Sequence, residues 1–222
     1  GDGLKVADLN EPSLTSAPRP PQQERSRDSW ERVLTVGLEL FADRGWAGLT
    51  IAEVCRRADV TAPSIYARVD GKAGLFRAVH ARWLEQVDRS EAEATSGIVG
   101  VGDADPTVAS AAAAEVMVRL FRSHEAILRA VSDRAPHDPA LHARGSEASR
   151  AMIERLAATV RLPPRHTTAI LRTVYAECVL RLRYGPAFLT ASVEPDDAFL
   201  TRMRRMASRL AGLSAEDGPT RG

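Results

Sequence analysis

The chain has little cysteine, few aromatic residues and almost no net charge. Two cysteines, Cys55 and Cys178, sit far apart within apolar helical patterns, which argues against a disulfide framework and reads as two small core residues in a reducing, cytoplasmic compartment. No stretch approaches the roughly 18 apolar residues of a membrane span; the richest, 108–118, is alanine-heavy and interrupted by Glu115. A soluble protein with no membrane partner is therefore predicted, and the opening residues lack the basic-then-apolar order of a signal peptide. Lys and Arg total 30 against 29 Asp and Glu, a net charge of +1, so affinity for nucleic acid has to come from local placement rather than a global field. The histidines, His80, His124, His137, His142 and His166, are scattered, and with no glycine-rich phosphate loop or nucleophile elbow the chain is expected to hold no metal, no cofactor and no catalytic residues.

What is present is helical periodicity. Hydrophobic residues make up 44% of 222, enough for a packed core, and nowhere do apolar and polar residues alternate as in a strand. The expected fold class is all-α: an N-terminal three-helix helix-turn-helix domain and a C-terminal helical bundle. Residues 1–27, with Pro12, Pro18, Pro20 and Pro21, read as a flexible extension whose Arg25 and Arg27 adjoin the first helix. That helix is expected to begin at Asp28, with Glu31 completing a capping box, and to bury Trp30, Val33, Leu34, Leu38 and Phe41 before ending at Gly45. The first domain spans 28–76, its fourth helix continuing to about residue 94. A glycine-rich connector opens the second domain, 95–213, where helices are expected from Asp105-Pro106, Ser123, Asp138-Pro139 (to about Arg161), Pro163-Pro164 and Pro195. Residues 214–222 form a polar tail.

Residues 50–76 carry the most information. Thr50-Ile51-Ala52-Glu53 is a capping box that starts a second helix, with Ile51, Val54, Cys55 and Ala58 on one face. The pattern breaks at Asp59-Val60 and restarts at Thr61 with Pro63 in the first turn, giving a third helix over 62–69. Helix, tight turn, capped helix is the shape whose second member lies in a DNA major groove.

On these residues the chain resembles the tetracycline repressor (TetR) family of bacterial transcription regulators. The match runs over 28–76: Leu40-Phe41 and Gly45, then Thr50-Ile51, then Ala58, Val60, Thr61, Ser64, Ile65, Tyr66, Val69, Lys72 and Leu75. Three positions depart from the family pattern. Asp59 replaces the usual turn glycine, Val69 an aromatic residue, and Gly71 a serine, the last predicting a looser junction with the fourth helix. The resemblance implies that Thr61, Ala62, Pro63 and Ser64 face base edges, while Thr50, Tyr66, Arg68 and Lys72 contact phosphates of double-stranded operator DNA. It also implies a homodimer formed through the last two long helices, whose apolar stripes carry Leu171, Val174, Cys178 and Leu182, then Phe199, Met203, Met206 and Leu210. Packing within the chain is the competing reading of the same stripes.

The helices over about 105–184 correspond to the family's effector domain. An unknown small-molecule effector among them would meet Met117, Phe121, His124, Met152, Tyr175 and Glu177, with Arg181 as the expected partner of Glu177. The expected function is a ligand-released repressor. An effector-independent DNA-binding or interaction protein, and a helical small-molecule enzyme, are the alternatives.

Overall fold

A computed structural model describes residues 22–97 and 105–216, and in it every regular element is helical. In chain order these are α1 (Gln22–Gly48), α2 (Ile51–Ala58), α3 (Ala62–Tyr66), α4 (Gly71–Ser96), α5 (Pro106–Ser123), α6 (Glu125–Arg134), a 3₁₀ turn (Ala135–His137), α7 (Pro139–Ala157), α8 (Pro164–Tyr184) and α9 (Asp196–Glu216). The all-α expectation holds. Residues 1–21 of the expected extension, 98–104 of the connector and 217–222 of the tail lie outside the described residues.

Several boundaries differ from the sequence reading, each for an identifiable reason. α1 starts at Gln22 rather than Asp28, so the Asp28–Glu31 box lies mid-helix and Glu31 instead pairs with Arg82 of α4 at 2.9 Å. The helix kinks at Gly45 (φ 61°) and runs on to Gly48. At α2, Thr50 Oγ1 accepts from the Glu53 amide at 3.2 Å as expected. The reciprocal half of the box is not made, because the Glu53 carboxylate takes two hydrogen bonds from Arg56. α3 stops at Tyr66 rather than 69, and the chain then turns into α4 through Gly71 at φ 64°. Glycine is the residue that backbone wants, so the predicted loosening at Gly71 is replaced by a defined turn. α7 ends at Ala157, not Arg161, ahead of Pro163-Pro164.

Two hydrophobic cores result. The first gathers Leu40 and Phe41 of α1, Leu49 before α2, Val54 of α2, Ile65 of α3 and Leu75, Phe76 and Val79 of α4, and it takes in Ile127 of α6 and Leu141 of α7. The N-terminal core is thus closed partly by α6 and α7. The second core is built around α5 and α9, where Ala109, Ala113 and Ala114 let α9 approach with Met203, Ala207 and Ala211. The two helices run antiparallel: Arg122 near the end of α5 meets Asp196 at the start of α9 at 3.2 Å, and Thr107 lies beside Gly212. Arg155 of α7 straps α4 to the bundle by bonding the buried Glu91 carboxylate at 2.9 and 2.6 Å and Asp88 at 3.0 Å.

Asp59 closes α2 in the left-handed region (φ 52°, ψ 56°), its amide donating to the Cys55 carbonyl. An aspartate accepts this conformation at some cost, and glycine at none. Asp59→Gly is expected to raise unfolding free energy by about 0.5–1 kcal/mol in urea denaturation; a lower midpoint would mean that the aspartate side chain stabilises the turn.

Candidate nucleic-acid interface and the cavity behind it

α3 is held by one side chain. Ile65 is fully buried, whereas Thr61, Pro63, Ser64 and Tyr66 are exposed, Tyr66 to 57%, and Ala62 is half-buried. A helix of five residues has no stability of its own, so its orientation is set by Ile65 and by the turn on either side. The Ser64 hydroxyl donates to the Thr61 carbonyl at 2.6 Å. Its proton is committed to the backbone, so what it offers outward is a hydrogen-bond acceptor.

The flanking groups are arranged differently from one another. Thr50 oxygen is occupied by the α2 cap, leaving its proton free to donate. Arg68 donates to the Ser26 carbonyl at 2.8 Å and Oγ at 2.5 Å, and its guanidinium lies 5.1 Å from the Trp30 ring centre. It clips the early turns of α1, and with them Arg25 and Arg27, to the α3–α4 junction. Lys72, in the first turn of α4, places Nζ 4.6 Å from the Trp46 ring centre, and Arg134 of α6 sits at 4.2 Å from the same ring. Burial, with Arg134 as a second cause, lowers the Lys72 pKa.

Residues 33–79, which include α2, α3 and both turns, match the family model of bacterial regulatory proteins of the tetR family. This segment of the chain is thus a tetR-family N-terminal domain. Solved structures with the same fold include a transcriptional regulator from Rhodococcus sp. RHA1 (17% identity, 84% of this chain and 95% of that one, TM-score 0.57). A TetR transcription regulator from Haloarcula marismortui is similar at 16% identity over 85% of this chain and 98% of its own, with a TM-score of 0.59. No curated protein sequence matches the chain.

Behind this domain a cavity of about 580 Å³ lies among α4, α5, α6, α7 and α8. Of the predicted effector contacts, Phe121, His124, Met152 and Tyr175 are on its lining. The other two lie elsewhere. Met117 is fully buried in the second core, and Glu177 bonds Arg202 of α9 at 2.9 Å. Arg181, the expected partner of Glu177, instead meets Asp196 at 2.7 Å and the Glu194 carbonyl at 2.9 Å. Sequence reasoning missed His80, Trp83 and Ser149, which also line the cavity. His80 shares the apolar stripe of Phe76, Val79 and Trp83, a signal that could have marked it as inward-facing.

The expected dimer residues are split by the fold. Leu171, Val174, Cys178, Leu182, Phe199 and Met203 are buried within the chain's own second core, and burial pushes the Cys178 thiol up to about 12. Met206 and Leu210 are half-buried beside them. The exposed apolar groups of this region are others: Tyr184, Phe188, Leu189 and Val193 at the α8–α9 connection and Leu213 on α9.

His80 is 3% exposed, and burial, aided by Arg144 and opposed by Asp138, pushes its pKa from 6.5 down to about 4. The folded chain therefore holds a neutral ring that the unfolded chain protonates below about 6.5. Stability is fully present above that pH and is lost as pH falls toward 4, by about 3 kcal/mol for this residue. His80→Leu is expected to flatten that part of the pH dependence in thermal unfolding; an unchanged slope would assign it to other groups.

Proposed function

We propose that this chain is a TetR-family regulator, a cytoplasmic, homodimeric repressor that binds palindromic operator DNA through the leading edge of α3 and is released by a small molecule in the cavity behind it. The observation that carries this reading is the outward edge of Thr61, Ala62, Pro63 and Ser64 on a helix whose one fully buried side chain is Ile65. Tyr66, Lys72, Thr50 and Arg68 flank that edge with donors of the kind that hold phosphates. Arg68 is already shared with Ser26, so its role is as much to set the position of the α1 start as to touch DNA.

One copy of α3 spans only a few base pairs, and specificity then requires a twin meeting the next major groove. The exposed Tyr184, Phe188, Leu189, Val193 and Leu213 offer apolar surface for that pairing. Release needs a ligand that binds the detached conformation more tightly than the DNA-bound one. The cavity favours this reading over an effector-independent adaptor, which would be expected to fill its bundle. The family and the similar structures are regulators, which favours this reading over an enzyme.

Selection from random duplexes followed by binding to the selected site tests the assignment. Lys72→Ala and Tyr66→Phe are expected to weaken binding to all sequences alike, by about 1 kcal/mol each, whereas Ala62 or Ser64 substitutions change which bases are preferred. Unaltered affinity of Lys72→Ala at moderate salt, or unaltered base preference on changing Ser64, would contradict the assignment of these residues.

A further inference from the structure

Trp83 and His124 fix one another's chemistry. An indole nitrogen only donates, so the Trp83 Nε1–H, 3.2 Å from His124 Nδ1, makes that nitrogen an acceptor. The neutral imidazole then carries its proton on Nε2, a buried donor with no partner within the described chain. Burial lowers the His124 pKa and so keeps the ring neutral. His80, with ring centre 5.5 Å from that of Trp83, is buried with both nitrogens unpartnered. Both histidines line the cavity. Buried polar groups are rarely left without a partner, because the desolvation they have undergone is then uncompensated.

Around them the wall is largely apolar and partly aromatic, with Phe121 and Tyr175 edge to face at 5.3 Å; its other polar groups, arginines apart, are His142, Asp88, Ser132, Ser146 and a Ser149–Tyr175 hydroxyl pair already bonded to one another at 2.7 Å. Arginines on the lining are either committed, as Arg155 is to Glu91 and Asp88, or exposed, as Arg150 and Arg172 are. A carboxylate beside the histidines would therefore be desolvated without a buried cation to offset it.

We propose that this cavity takes an uncharged, largely apolar aromatic molecule bearing one hydrogen-bond acceptor, a carbonyl oxygen or ring nitrogen, which receives the His124 Nε2 proton. His80 supplies a second polar contact at the same end. The proposal rests on the ligand-responsive reading above for its regulatory meaning, but the binding itself is measured without DNA.

Calorimetric titration of the full chain with three molecules of one shape tests it: 2-acetonaphthone, 2-isopropylnaphthalene and 2-naphthoate. The ketone is expected to bind about tenfold or more tighter than the hydrocarbon, and the carboxylate weaker than the ketone. His124→Phe should abolish the preference for ketone over hydrocarbon while keeping hydrocarbon binding. If that variant does not fold, the wild-type comparison still decides. Equal affinities of ketone and hydrocarbon, no binding of the ketone up to its solubility, or tightest binding of naphthoate would overturn the proposal. A parallel gel-shift assay separates the two readings. Intact DNA retention with no ketone binding overturns the ligand assignment alone, while ketone binding supports it even if DNA is not released, an outcome that would count against ligand release.

Discussion

The burial of Ile65 is the constraint on which the rest depends. α3 is too short to persist in water, so what orients it is one aliphatic side chain seated in the core shared by α1, α2 and α4. Ala67, Arg68 and Val69 amides then donate back to Pro63 and Ile65 carbonyls and turn the chain into α4. Burial in α3 is concentrated in Ile65, while Thr61, Pro63, Ser64 and Tyr66 stay exposed around it.

That head is not mechanically separate from the bundle. Trp46, at the end of α1, is met by both Lys72 of the head and Arg134 of α6. A row of rings runs on from it, Trp46 to Phe76 at 5.3 Å, Phe76 to His80 at 5.9 Å, His80 to Trp83 at 5.5 Å and Trp83 to His124 at 6.1 Å. α6 also lines the cavity through Leu128, Val131 and Ser132. The helix that caps Trp46 is thus the helix a bound molecule would press. Adjacency of this kind gives a route for coupling, and its strength is set by how differently a ligand binds the two orientations of the head.

Legibility in the sequence followed the range of the interaction. The Thr50 cap, the left-handed Asp59 and the Pro63 start are decided within four residues, so the helix-turn-helix could be read directly. The start of α1 could not, because Ser26 is tied to Arg68 across 42 residues. Local pairing rules likewise assigned Glu177 to Arg181, while the fold offers it Arg202 from α9. Periodicity correctly marked the α8 and α9 stripes as buried but is silent on what buries them: Leu171, Val174 and Met203 face the chain's own core. The cavity was half visible: Phe121, His124, Met152 and Tyr175 were marked in the sequence, whereas His80 and Trp83 of α4 come to the same wall only in the fold.

The central claim is that two copies of the α3 edge meet successive major grooves. Hydroxyl-radical footprinting on a selected duplex tests this most directly. Two protected windows about one helical turn apart, roughly 34 Å, lost together as salt rises, are the predicted result. A single protected window, or protection indifferent to sequence, would contradict it.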